Sequence, residues 1–262
     1  MNRLENNNRM SIEMLNQRGG RMLSLVDLLE AGTLNLELAA EMAYVASQGG
    51  SMITAAGPGG VGKTTLMGAL LAFLPPDTEI VTVEGENTLY NLDRRQPGHC
   101  QCLVVHEIGP GSYHGYLWGK SVARYFNLIG PERSIASNLH ALTYPQAREQ
   151  LMGPALCVLP DTLNRVHLFA FMTRERNKRR VRTVWNRDTG EGHILTWRWH
   201  EGRDEILRVQ PPEALWSVRN NLPPETISSE LARFRGFLLD ARKEGCNLIS
   251  DLRHSFLKEF FR

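Results

Sequence analysis

Cysteine is scarce in this sequence: 4 in 262 residues, at positions 100, 102, 157 and 246. That is too few, and too scattered, for the disulfide framework of a small secreted domain. Charge of one sign is also lacking. Lys and Arg number 30 against 28 Asp and Glu, a formal charge of +2, so no global field draws the chain to nucleic acid or anionic lipid. The longest apolar stretches, such as residues 66–74, fall far short of the roughly 20 residues that span a bilayer. The opening MNRLENNNRM lacks the apolar centre of a signal peptide. Apart from the asparagines at 6–8 there is no low-complexity segment, and no internal repeat is visible. With 42% hydrophobic residues the chain can fill a core. Secreted, membrane-spanning and disordered readings are poor, and a cytoplasmic globular protein is expected.

Residues 1–22 read as a flexible tail. Leu23, Val26, Leu28 and Leu29 recur at helical spacing, and Asn35 is placed to cap a second helix that Gly49-Gly50 ends. The text then changes. Short apolar runs of strand length stand at 52–56, 79–84, 102–108, 134–140 and 167–172, with helical stretches at 63–74, 115–128 and 145–152. Such alternation predicts an α/β fold with a mostly parallel sheet covered on both faces. Residues 180–185, 193–199 and 205–209 are spaced like an antiparallel meander, with turn signals at Asp188-Thr189-Gly190 and at 200–204. Pro211, Pro212, Pro223 and Pro224 then punctuate a linker to closing helices at 227–243 and 248–261. The second of these carries an i, i+4 stripe of Leu248, Leu252, Phe256 and Phe260.

The strongest motif is Gly57-Pro58-Gly59-Gly60-Val61-Gly62-Lys63-Thr64-Thr65, a full match to G-x-x-x-x-G-K-[ST] between a strand pattern and a helix pattern. Each residue type has a reason. Glycines allow the torsions that turn consecutive N–H groups inward as an anion cradle. The helix beginning near Lys63 adds the positive end of its dipole. Lys63 would reach the β- and γ-phosphates, and the Thr64 hydroxyl would ligate Mg²⁺. Such a loop needs an acid at the end of a neighbouring strand, to act on the metal's waters and the attacking water. Two strand patterns end suitably, on Glu84 and on Glu107.

The order of P-loop, Glu84, Glu107 and then Ser137-Asn138-Leu139-His140-Ala141 resembles the secretion ATPase superfamily, the hexameric motors of type II and type IV secretion and of type IV pili. The lead-in at 25–45 and the stretch after residues 137–141, at 143–151, resemble the corresponding family segments. The resemblance implies a RecA-type P-loop NTPase core over 23–210, including the meander, followed by a C-terminal helical segment over 211–262. It implies ATP and Mg²⁺, with Gly57 to Thr65 on the phosphates and Thr64 and Glu107 at the metal. It places Glu84 in the acidic box as an activator of water, Glu107 at the end of Walker B, and His140 at the histidine that relays between nucleotide and subunit contacts. It also implies a homo-oligomeric ring, an inner-membrane secretion or pilus platform protein as partner, and no specific nucleic acid. Location would be cytoplasmic, peripheral to the inner membrane through partners.

The chain reads as a truncated and divergent member. Gly85 stands where Asp is usual, His106 replaces the glycine before Glu107, and Gly109-Pro110 follow where Arg-Asp is usual. Few residues precede the P-loop compared with the family's N-terminal domain. Three functions therefore stand side by side: a motor ATPase, a P-loop module that binds ATP for regulation or assembly with little turnover, and a nucleic-acid translocase on the same fold, for which only residues 174–182 speak. Weaker signals are His99-Cys100-Gln101-Cys102, which invites a metal reading, and the basic run 174–182 (RERNKRRVR). That run reads as a solvated hairpin tip, a nucleic-acid contact or a source of arginines acting on a neighbour's phosphate; Arg94 and Arg95 are the other candidates for the last role. The stretch 109–116 (GPGSYHGY) follows Glu107 directly and reads as a sensing loop or a plain turn.

Overall fold

The strand-length runs become β1 (Met52–Ala55), β2 (Glu79–Thr82), β3 (Gln101–Ile108), β4 (Tyr116–Leu117), β5 (Arg133–Leu139), β6 (Leu168–Glu175), β7 (Lys178–Arg187), β8 (His193–His200) and β9 (Glu205–Arg208). They form one nine-stranded sheet in the order β2-β3-β5-β1-β6-β7-β8-β9, with β4 beside β3. The computed structural model describes residues 3–16, 19–57, 59–111, 114–188, 190, 192–211, 215 and 222–261. Strands β1, β2, β3, β5 and β6 run parallel, and β6 to β9 form the antiparallel meander. The fold is α/β, as the alternation predicts. The helices are α1 (Arg3–Met14), α2 (Leu25–Glu30), α3 (Leu36–Ser47), α4 (Lys63–Leu71), α5 (Glu86–Asp93), α6 (Lys120–Asn127), α7 (Tyr144–Met152), α8 (Pro160–Leu163) and the C-terminal pair Pro224–Lys243 and Ile249–Phe260.

The period of two along the strands sends side chains to two apolar layers. Ile53, Ala55, Val105, Ile135 and Phe169 pack with Val122 and Phe126 of α6 and Ala147 of α7. Met52, Val104, Ala136 and Ala170 pack on the opposite face with α3, α4 and the C-terminal helices. Because both faces are covered, β1 is buried at all four positions, which is why it reads as an unbroken apolar run. Caps set the helix starts. Asn35 accepts from the Leu38 N–H, and Thr143 from the Gln146 N–H. Ser24 and Asp27 form a reciprocal capping box ahead of α2.

Two segments differ from expectation. Residues 3–14, expected as part of a flexible tail, are the helix α1. Ile12 and Leu15 are buried, and so is Asn8 of the asparagine run. The Asn8 amide donates to the Thr78 carbonyl at 2.7 Å and its oxygen accepts from the Ile80 N–H at 2.9 Å. A polar side chain is buried there because it satisfies the backbone at the sheet's outer strand. Arg253 of the last helix completes the attachment. It grips Glu5 of α1 with Nε at 3.0 Å and Nη2 at 2.8 Å, and donates through Nη1 to the Ala72 and Leu74 carbonyls just beyond α4. The second difference lies within 115–128, where the helix begins only at Lys120; Tyr116 and Leu117 pair with β3 instead. Pro212 of the expected linker and Thr189 of the first turn signal lie outside the described residues.

Candidate functional site

Beyond β1 come residues 56–57 and 59–62, and the chain enters α4 at Lys63. Gly62 has φ +106° and Gly60 φ +79°, the left-handed region where glycine is favoured. At Gly57 the reason is space, since an added Cβ would lie 2.5 Å from Leu142 Cδ2. Pro58 lies outside the described residues. Gly62 is the N-cap residue and no side chain caps the helix, so the first turn of α4 is left open to an acceptor from outside.

Strands β3 and β5 bring the remaining chemistry to this turn. Lys63 is buried, with Nζ 3.3 Å from Glu107 Oε2 at the end of β3. His140, just after β5, places Nδ1 2.9 Å from the Gly57 carbonyl and Nε2 3.7 Å from Glu107 Oε1. The carbonyl contact requires a hydrogen on Nδ1. The approach of Lys63 Nζ to that same nitrogen, 3.3 Å, is therefore not a hydrogen bond in this tautomer. Burial pushes the Glu107 carboxyl up, against the pull of Lys63 and His140. Burial likewise pushes the Lys63 ammonium down, against the pull of Glu107. Each charge is held in a low-dielectric place by the other.

Asn138 ties the strands together. Fully buried on β5, its amide donates to the His106 carbonyl at 2.6 Å and to Thr64 Oγ1 at 3.0 Å. Its oxygen accepts from Thr54 Oγ1 of β1 at 2.5 Å. The Thr64 hydroxyl is thus fixed while keeping its own hydrogen and one lone pair. Among the described residues Glu107 Oε1 is buried without a hydrogen-bond partner. An orphaned carboxylate oxygen, a lysine with donors to spare and a fixed hydroxyl are the donor set that a phosphate tail with its magnesium asks for. They line a cavity of about 260 Å³ together with residues 59–62, Thr65, His106, Tyr116 and Arg179.

The structure therefore brings together Gly59, Gly60, Val61, Gly62, Lys63, Thr64, Thr65, Glu107 and His140. It leaves Glu84 outside. That residue follows β2, which β3 and β5 separate from β1, and its exposed side chain lies 3.8 Å from His114 Nε2. Sequence reasoning missed Asn138, Thr54 and His106, and did not place Arg179 at this loop. A signal existed for Asn138: an amide inside an apolar strand has to have partners.

The weaker signals resolve differently. Cys102 is buried in the core, where burial pushes its thiol up to about 12, whereas Cys100 is exposed and His99 lies 3.3 Å from Glu79. Among the described residues no group of three or more His, Cys, Asp or Glu is arranged to hold a metal ion. Within 109–116, Ser112 and Tyr113 lie outside the described residues. Gly115 packs on His106, whose N–H donates to the Gly115 carbonyl at 2.8 Å. Arg94 and Arg95 lie beside Gly130 and Arg133, at the start of β5 and so at the opposite end of the parallel strands from the P-loop. Among the described residues no helix is long and apolar enough to cross a membrane.

No family model matches the sequence, and no curated protein sequence matches it. Solved structures similar to the chain at low identity include two ATPases. One is the VirB11 ATPase from the Brucella suis type IV secretion system in complex with sulphate, at 19% identity over 69% of this chain and 56% of that one, with a TM-score of 0.41. The other is the ATPase DotB of Legionella pneumophila, at 14% identity over 84% of this chain and 62% of that one, with a TM-score of 0.38. The chain spans less than two thirds of the length of either.

Proposed function

We propose that this chain binds and hydrolyses ATP as a subunit of a secretion- or pilus-type motor. In this reading it works in a ring, a hexamer as in the family it resembles, and passes the work of turnover to protein transport or pilus assembly. Its partner would be a platform protein at the inner membrane, with the chain on the cytoplasmic side. The observation that carries the catalytic part is the meeting of Lys63, Thr64, Glu107 and His140 in one cavity behind a G-x-x-x-x-G-K-T loop.

The residues divide the chemistry between them. Residues 59–65 cradle the phosphate tail, and Lys63 transfers its ammonium from Glu107 to phosphate oxygens, which carry more negative charge. Glu107, released from that pair, accepts a hydrogen bond from the attacking water, and its burial-raised carboxyl makes it a better proton acceptor than an exposed glutamate. Thr64 would hold Mg²⁺, with Glu107 on the metal's waters; bound Mg²⁺ neutralises charge growing on the β- and γ-phosphoryl oxygens. His140 touches both the loop carbonyl of Gly57 and the carboxylate of Glu107, so a shift of the loop is felt at the acid.

A second reading has one observation in its favour. With Glu84 outside, Glu107 is the only acid among the described residues lining the cavity, an economy that suits an ATP-binding module with little turnover. Steady-state phosphate release measured over a range of protein concentrations, beside sedimentation velocity with and without a non-hydrolysable ATP analogue, separates the two. The motor reading expects specific activity to rise with concentration and the analogue to promote assembly. A strict monomer with constant low activity favours the binding module.

A further inference from the structure

The basic run at 174–182 does not behave as one solvated tip. Arg180 and Lys178 are engaged by Asp204, at 2.8 and 3.4 Å. Arg174 and Arg179 have no carboxylate partner among the described residues. The register of the β6–β7 hairpin sets these two directly opposite each other, and like charges so placed destabilise a strand pair unless an anion offsets them. Arg179 also leans on the P-loop of its own chain. Its Nε donates to the Gly60 carbonyl at 3.3 Å, and its Cδ lies 3.2 Å from where a Cβ on Gly62 would stand. It lines the same cavity as Lys63, Thr64 and Glu107. Among the described residues its two Nη nitrogens make no hydrogen bond, so both are available to a further acceptor.

We propose that Arg179 contacts the γ-phosphate of the nucleotide held by its own chain, a cation delivered in cis by the β6–β7 hairpin, with Arg174 opposite it strengthening the local positive field. The inference rests on the ATP reading of this cavity and adds a residue to it. Anchored through Nε and its stem, the guanidinium keeps a pair of donors that suits two oxygens of one phosphoryl group. Negative charge spreads over the γ-phosphoryl oxygens in the transition state, so a cation there serves turnover as well as binding. Arg94 and Arg95, at the other end of the parallel strands, do not reach this cavity within one chain.

The test compares wild type, Arg179→Ala and Arg179→Lys by calorimetric titration with Mg²⁺·AMP-PNP and with Mg²⁺·ADP. Arg179→Ala should weaken AMP-PNP by about tenfold to a hundredfold and leave ADP within about threefold, the contrast expected when one charge-assisted contact to the γ-phosphate is lost. The lysine variant should fall between, and retained ADP binding shows that the variants are folded. Equal loss for both nucleotides, or no loss for either, overturns the assignment to Arg179 alone. Failure of the wild type to bind either nucleotide overturns the ATP reading, and the assignment with it. A mixture of Lys63→Ala and Arg179→Ala subunits then separates cis from trans. A cis arginine gives no recovery of phosphate release, whereas recovery would mean that the residue serves a neighbour.

Discussion

Lys63 and Glu107 face each other across 3.3 Å inside the cavity that both would serve. Each is the other's main opposite charge there, and the same burial weakens the charged form of both. A pair of this kind is strongly coupled to any anion that enters. A phosphate group competes for the ammonium, and what it displaces is the carboxylate that a hydrolytic site needs free.

Glu107→Gln tests that coupling. The amide keeps the shape of the side chain and loses the charge, so nucleotide affinity should stay within about tenfold. Turnover should fall by about a hundredfold, the size expected for a positioned acid–base group. Titration and single-turnover measurements on the same preparation read the two quantities. Unchanged turnover would move the role to another acid and would make Glu84 worth reconsidering.

Asn138→Ala should cost more stability than its size suggests. The side chain satisfies the His106 carbonyl, Thr64 Oγ1 and Thr54 Oγ1 in a fully buried place. Orphaning such groups typically costs about 1–3 kcal/mol each, partly relieved by relaxation. Urea unfolding should show a loss of at least about 1 kcal/mol, and magnesium-dependent nucleotide binding should weaken as Thr64 loses its fixed orientation. A variant as stable as wild type would mean that Asn138 is not the tie between β1, β3 and β5.

His193 makes stability depend on pH. Its Nε2 lies 2.7 Å from the Val166 carbonyl and its Nδ1 2.9 Å from the Tyr144 hydroxyl, an arrangement that the neutral ring satisfies at both nitrogens. Burial brings its pKa down to about 4. The unfolded chain takes up this proton near pH 6.5 and the folded chain only near pH 4, so stability is full above pH 6.5 and falls as pH drops between those values. The loss by pH 5 should be about 2 kcal/mol. Urea unfolding of wild type and His193→Gln at pH 7.5 and pH 5 checks it: the gap between the two proteins should narrow at the lower pH. A gap independent of pH would contradict the buried neutral ring.

How much of this was legible depends on where the information sits. The P-loop announces itself because phosphate binding needs glycines, a lysine and a hydroxyl at fixed local spacing. The parallel strands announce themselves because burial on both faces leaves an apolar run. Glu107 and His140 could be set beside the loop only through the order of elements, and there β3 and β5 deliver them. The same order suggested Glu84, but β2 is the outermost strand of the parallel half, and no local pattern encodes that distance. The helix α1 was hidden because its burial is paid by contacts remote in sequence: Asn8 with β2, and Glu5 with Arg253 of the last helix. The position of Arg179 was hidden for the same reason, since only the register of β6 and β7 carries it to the loop.

The central claim is that the cavity around Lys63 binds the phosphates of ATP. Calorimetric titration of wild type and Lys63→Ala with Mg²⁺·ATP tests it most directly. Loss of one charge-assisted contact predicts a tenfold to hundredfold drop in affinity, about 1.5–3 kcal/mol, with phosphate release abolished in the variant. Equal affinities for the two proteins would contradict the account and remove the P-loop from it.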